Sequence, residues 1–332
     1  MTDQLSGERL MPHVRALVDE IGPRPAGHPA EATARDYIRH ALAEHQITDL
    51  ESIPFSTSDT WGYTAIVPAL FALSSNLPGR RSKLRSTLGG MTALLGAYAF
   101  WLGSSGQRQL FAPFYNRLRT ETLIARIPPT GEKRHTLVLV GHTDSNKHRL
   151  TFSPALKKSL RASATAGIVG MIVNGVVQLG AGLGLWQGEK LRRWTTTGLL
   201  AGVALLLADE LGDYVDGAND NASAVACLLG LGAQLARTPL AHTEVWLAFT
   251  GAEEVGCLGI HALLDKHGED LQDAYFLDFE LVGKGQIAYV TEHSGLSHFN
   301  GYRPDPASMA LAEQTAREHP ALGVTGREVV IQ

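Results

Sequence analysis

The chain has 332 residues, enough for one large α/β domain or two ordinary ones with a sizeable core. Its net charge of −4 offers no bulk attraction to nucleic acid, and its two cysteines, Cys227 and Cys257, exclude a disulfide-stapled scaffold. Charged residues are only 19%, below the roughly 25% of an ordinary soluble domain, so uncharged stretches must collect somewhere.

The start, MTDQLSGERLMPHV, lacks the basic end and apolar core of a signal peptide. Residues 5–21 place Leu10, Val14, Leu17 and Ile21 at helical spacing, and a second helix is expected over 30–44, with Ala34, Tyr37, Ile38 and Leu42 on one side. Between them, Gly-Pro-Arg-Pro-Ala-Gly at 22–27 is a breaker cluster. Uncharged runs then cover 60–79 and 86–107, and later 162–188 and 194–208. The first three are 20, 22 and 27 residues long. At 1.5 Å per residue those lengths span a bilayer core of about 30 Å. The fourth has 15 residues and is short alone, with Arg192 and Arg193 placed to snorkel at its end. The runs pair into two hairpins with basic tips: Arg80, Arg81, Lys83 and Arg85 in one, Lys190, Arg192 and Arg193 in the other.

Around these insertions the pattern is α/β. TLIARIP at 122–128 and TLVLVGH at 136–142 read as strands joined by a turn. A helix over 222–237, a strand at 243–250, a helix over 255–267 and a strand over 274–282 follow. Strands alternating with helices imply a sheet covered on both faces, whose ligands bind at the carboxyl ends of the strands.

Three segments at such ends carry chemistry: Gly141-His142-Thr143-Asp144-Ser145, Asp216-Gly217-Ala218-Asn219-Asp220-Asn221-Ala222-Ser223, and Gly251-Ala252-Glu253-Glu254-Val255-Gly256. Taken singly each has a bland reading: a surface His-x-Asp, a helix cap, acids favoured at a helix start. Together they form a candidate metal site, because neutral imidazole and carboxylate oxygen both suit zinc. Asp144 is placed to support His142, as carboxylates behind metal-binding histidines do. Of the adjacent Glu253 and Glu254, one can bind metal while the other acts as a base on water.

GPRPAGHP from Gly22, then GHTDS, GANDNAS and GAEEVG in this order, resemble the zinc-dependent aminopeptidases of the bacterial leucine-aminopeptidase type. Relatives of that family include glutamate carboxypeptidase, the transferrin-receptor ectodomain and glutaminyl cyclase. The resemblance covers roughly 8–55 and 117–332. It implies that His142 binds one zinc, Asp144 supports it, and Asp220 bridges two zinc ions beside a cis peptide to Asn221. It further implies Glu253 as the general base and Glu254 as a ligand of the other ion. One more acidic ligand is expected before Gly283: register to the glycine selects Glu280, residue type selects Asp278, and both stay open. The family's last ligand is a histidine that none of His293, His298 or His319 matches in context. The family also joins its His-x-Asp to the bridging aspartate by a short loop, whereas here 78 positions separate His142 from Asp220.

The expectation is therefore a three-layer α/β/α domain with a central, mostly parallel mixed sheet. It would comprise 1–61, 117–161 and 209–332, with hydrophobic helical hairpins inserted at 62–107 and 162–208. The implied activity is a membrane-attached, multi-pass zinc aminopeptidase acting on peptides with a free N-terminus. Lipid would surround the hairpins, and no nucleic-acid partner is expected. The alternatives are an acyltransferase of the glutaminyl-cyclase kind and an inactive receptor or scaffold. Basic hairpin tips favour a cytoplasmic position for the tips, while Arg117, Arg119, Lys157, Lys158 and Arg161 at the opposite ends leave the sidedness open. The end of the chain, Glu328-Val329-Val330-Ile331-Gln332, reads as a strand in progress, which leads to the expectation of a longer protein whose last histidine ligand lies further on.

Overall fold

The computed structural model describes residues 5–76, 82–186 and 188–330. In chain order the elements are α1 (Gly7–Arg15), α2 (Pro29–Glu44), β1 (Leu50–Thr57), α3 (Gly62–Ser74), α4 (Lys83–Ser104), α5 (Ala112–Tyr115), β2 (Leu118–Ile127) and β3 (His135–His142). There follow α6 (Leu160–Leu183), α7 (Glu189–Asp209), α8 (Ser223–Arg237), β4 (Thr243–Thr250), α9 (Leu258–His267) and β5 (Tyr275–Asp278). The chain closes with β6 (Ala288–Ser294), β7 (Gly301–Tyr302), α10 (Pro306–Glu318) and β8 (Thr325–Val330).

Two compact units result. The first comprises Met1–Thr60, Asn116–Lys147 and Tyr214–Ile287. Its five-stranded sheet has the order β1-β2-β4-β3-β5. The sheet is mixed and mostly parallel, as expected: β1, β3, β4 and β5 run one way, and β2 runs against them, antiparallel to both β1 and β4. The strands β2 and β3, joined by a short loop, do not pair with each other, because β4 lies between them. β1 was not foreseen. Its Pro54 cannot donate to a ladder, which an edge strand tolerates.

Side chains alternate across this sheet and fill two cores. On one face Leu123, Leu139, Leu247 and Phe249 pack with Leu17, with Ile38 and Leu42 of α2, and with Val225, Leu228 and Leu229 of α8. On the other, Ile124, Val138, Val140, Trp246 and Ala248 pack with Leu263 of α9 and with Leu271. That is the three-layer arrangement. β5 stops at Asp278, short of the expected 282, because Leu281 turns into the left-handed region at φ 53°.

The second unit comprises Trp61–Tyr115, His148–Asp213 and Ala288–Gln332. The segment 288–332 therefore groups with the apolar helices, and carries a three-stranded sheet of order β7-β6-β8. α4 packs closely on α3 and α6 through glycine. A Cβ on Gly96 would collide with the Pro68 carbonyl of α3, and one on Gly90 would lie 2.8 Å from the Gly175 carbonyl of α6. Among the described residues, one helix, Lys157–Leu183, is long and apolar enough to cross a membrane by length and composition. The run at 60–79 yields only the 13 residues of α3, and Arg80 and Arg81 of the first basic tip lie outside the described residues.

Candidate metal centre

The site sits where the parallel strands end. His142 closes β3 in register with Thr250, the last residue of β4, and Thr250 O accepts the Thr143 N–H at 2.8 Å. The GHTDS and GAEEVG loops therefore leave the sheet side by side. β5 runs along the other side of β3, with Asp278 opposite Val140, and delivers Glu280 two residues later. The fourth piece is the turn before α8, where Asp220–Asn221 is a cis peptide. Asn221 Nδ2 donates to Phe279 O at 2.9 Å and joins that turn to the segment carrying Glu280.

His142 is the centre of the cluster and is 2% exposed. Its Nε2 lies 3.0 Å from Asp220 Oδ1, 3.6 Å from Glu280 Oε2 and 3.8 Å from Glu253 Oε2. Two sets of donor atoms are close enough to hold an ion: His142, Asp220 and Glu280, and His142, Glu253 and Glu254. Asp278 joins neither, nor do His293, His298 or His319 among the described residues.

Asp144 faces away from the ion-holding atoms. It is fully buried, its Oδ1 accepts the Glu253 N–H at 3.0 Å, and its Oδ2 accepts the Glu254 N–H at 3.1 Å. Oδ1 also lies 3.4 Å from His142 Nδ1. His142 Nδ1 is closer to the Asp144 main-chain O, at 3.0 Å, so Asp144 orients the imidazole mainly through its carbonyl and both glutamates through its carboxylate. Ala252 before Glu253 and Leu281 after Glu280 have φ of 55° and 53°, a region that costs a residue with a Cβ and that recurs at functional sites.

Two supporting side chains were not foreseen as such. Asn146 donates from Nδ2 to Glu254 Oε2. Arg24, the arginine of GPRPAGHP, is 1% exposed and donates to the carbonyls of Leu17, Gly22, Thr143, Asp216 and Gly217 at 2.8–3.2 Å. The Arg24 N–H goes to Ser145 Oγ, and Arg24 O accepts the Ser145 N–H. It clamps the loop of His142 to the loop of Asp220. The available signal was an arginine between two prolines in the breaker cluster.

The charges are unbalanced. Asp220, Glu253, Glu254 and Glu280 surround a single imidazole. Burial disfavours a charged His142, yet hydrogen bonds to Asp144, Asp220 and Glu280 outweigh it and raise its pKa well above the ordinary value. Burial, with the charges of Glu280, Asp144 and Asp220, pushes the Glu253 carboxyl up to about 7 against the pull of His142. Burial and the Glu253 charge push Glu254 up well above the usual range. Glu254 Oε1 is buried without a hydrogen-bond partner. An orphaned oxygen among four acids and one imidazole fits divalent cations, and oxygen with nitrogen donors fits zinc.

Residues 202–321 match Peptidase family M28. The match spans 120 of the 332 residues. It contains Asp220, Glu253, Glu254, Asp278 and Glu280, whereas His142 and Asp144 precede it. The resemblance read from the motifs is thereby borne out. No curated protein matches the chain. Among solved structures, a glutaminyl cyclase from an Acidobacteriales bacterium is similar at 15% identity and a TM-score of 0.53, over 97% of this chain and 71% of its own. BSAP, a zinc aminopeptidase from Bacillus subtilis, is similar at 12% identity and a TM-score of 0.51, over 97% of this chain and 79% of its own. Likeness at these identities establishes the fold.

Proposed function

We propose that the protein is a membrane-attached zinc metallopeptidase of the aminopeptidase type. The observation that carries the reading is the pair of overlapping donor sets around buried His142, with Glu253 and Glu254 delivered from one loop. His142, Asp220 and Glu280, the first set, would hold one zinc; Glu254 of the second set, with Asp220 shared as the resemblance implies, would hold another. Bound zinc supplies Lewis acidity toward the scissile carbonyl and acidifies water. Glu253 is the general base: its carboxylate takes the proton of the attacking water and passes it to the departing amine. Asp144 holds the His142 imidazole through Nδ1 and fixes the backbone of both glutamates, so the donors are aligned before substrate arrives. Arg24 locks the two loops from behind.

The substrate class is peptides with a free N-terminus. The experiment measures zinc by elemental analysis together with release of the N-terminal residue from short peptides. About two zinc per chain with release of amino acid supports the reading. A single zinc with cyclisation of N-terminal glutamine points to a glutaminyl-cyclase-like transferase. No zinc and no turnover leaves a receptor or scaffold.

Membrane attachment is supported by the helices of the second unit. α4, α6 and α7 have 22, 24 and 21 residues. They would be about 31–36 Å long, against a bilayer core of about 30 Å. Their outward residues are apolar: Leu84, Leu88, Met91 and Leu95 repeat along one side of α4, and Val169, Ile172 and Val176 along α6. Their inward residues are mostly small or apolar, Ala93, Ala97, Phe100, Ile168 and Met171 among them, and include two amides: Asn174 is 0% and Gln178 5% exposed. Asn174 Nδ2 donates to Ser75 Oγ at 3.1 Å, and Asn76 Nδ2 to Asn174 Oδ1 at 3.2 Å. A helix cluster with leucine, valine and isoleucine on its outside, and with its buried amides hydrogen-bonded to one another, suits lipid. Extraction by alkaline carbonate tests this: release without detergent refutes integral insertion.

A further inference from the structure

Residues at one end of the helices in the second unit converge. Arg192 Nη1 of α7 donates to Asn76 Oδ1, just past α3, at 3.0 Å. A Cβ on Gly184, at the end of α6, would lie 3.7 Å from Lys83 Nζ at the start of α4. This end therefore gathers Lys83, Arg85, Lys190, Arg192 and Arg193 from the described residues. The acid among them, Glu189, accepts Arg192 Nη2 at 2.9 Å and Arg193 Nε at 3.1 Å. Cations remain in excess. Lys83 and Lys190 are exposed, and the Arg193 side chain is open to solvent. Trp186 and Trp194 stand exposed beside them, the latter at 69%.

Exposed tryptophan beside lysine and arginine at the end of an apolar helix is the composition of a membrane interface. At the other end of the same helices Tyr63, Tyr98 and Phe114 are exposed. Leu84 and Tyr98 of α4 are fourteen residues apart, about 21 Å along the helix axis. The other end also carries cations, Lys157, Lys158 and Arg161 around the start of α6, but they share it with the acids Asp209 and Glu210 at the end of α7. The Lys83 end combines indole rings with surplus cations, whose complement is a phosphate-bearing headgroup with net negative charge.

We propose that the end bearing Lys83, Lys190, Arg193, Trp186 and Trp194 is a docking surface for anionic phospholipid headgroups. The surface rests on the membrane reading above and adds a lipid class to it. Lys83, Lys190 and Arg193 contact the phosphates. Trp186 and Trp194 sit at the level of the headgroups, and the Leu84 and Leu88 side chains lie along the acyl chains.

The test reconstitutes the full chain into vesicles carrying brominated acyl chains on either phosphatidylglycerol or phosphatidylcholine, and reads quenching of tryptophan fluorescence. Comparison with Trp186→Phe/Trp194→Phe isolates the signal from this end. Brominated phosphatidylglycerol should quench Trp186 and Trp194 preferentially, by about fivefold in relative affinity for each cation at the surface. The variant Lys83→Gln/Lys190→Gln/Arg193→Gln should lose the preference and keep quenching by brominated phosphatidylcholine. High salt should weaken the preference in the unmodified chain. Equal quenching by both lipids, or an unchanged preference in the triple variant, overturns the headgroup surface while membrane insertion stands. Absence of quenching by either lipid overturns both readings.

Discussion

Replacing Asp144 by asparagine changes one oxygen into an amide and keeps the shape. Oδ1 and Oδ2 each accept a backbone N–H, from Glu253 and Glu254. In either orientation the new amide nitrogen points its hydrogens at one of those donors. One charge-assisted hydrogen bond is lost, about 1.5–3 kcal/mol, and one buried N–H is left unsatisfied, about 1–3 kcal/mol. The contributions overlap, so a net loss of about 2–5 kcal/mol is expected. The same change loosens both glutamates and removes a negative charge 3.4 Å from His142 Nδ1, while the main-chain O of residue 144 still faces that nitrogen, and zinc binding should weaken about 10–100-fold. Thermal unfolding of the purified protein and zinc competition against a chelator measure the two effects. A variant that unfolds within about 1 kcal/mol of the parent and holds zinc equally well would show that Asp144 is a bystander.

Other substitutions separate the roles around it. Glu253→Gln should lower turnover by about 10²–10⁴-fold and keep zinc, whereas Glu254→Gln should release it; loss of zinc from Glu253→Gln at unchanged fold would contradict a base at that position. Arg24→Lys has three donors for five buried carbonyls, so at least two are stranded and about 2–4 kcal/mol of stability should go, together with zinc affinity. An Arg24→Lys protein that melts with the parent and holds zinc as tightly would remove the clamp from the account. Away from the site, Glu51 bonds Lys266, Arg126 and His267. Burial opposes its charge, but these partners bring its carboxyl down from 4.5 to about 2. A depressed carboxylate stabilises the fold above pH 4.5, and that stability is lost as pH falls toward 2. Screening at these partly exposed groups reduces the effect to about 1–2 kcal/mol. Glu51→Gln should therefore lie below the parent at neutral pH and meet it near pH 2 in acid unfolding curves; parallel curves down to pH 2 would refute the linkage.

The sequence by itself determined the local matters. Strand and helix follow from periodicity over a few residues, so β3, β4, α2 and α8 lie close to where composition and spacing put them. His142, Asp220, Glu253 and Glu254 could be read for the same reason: each sits at the end of a strand or the start of a helix, and their order along the chain matched a known one. Tertiary structure alone decided whatever depends on groups far apart in the chain. Insertion of β2 between β1 and β4 sets one reversed strand in an otherwise parallel sheet, and no single strand records its neighbour. Asp278 and Glu280 share one strand pattern, and the position of β5 against β3 brings Glu280, not Asp278, into reach of His142. Arg24 gives no local sign of its carbonyl partners at 143, 216 and 217, because hydrogen bonds between loops follow from how the strands are stacked. Hydrophobicity along α4 and α6 indicates apolar helices, but which residues face out emerges only when glycines let neighbouring helices close on one side, leaving leucine outside and Asn174 and Gln178 within.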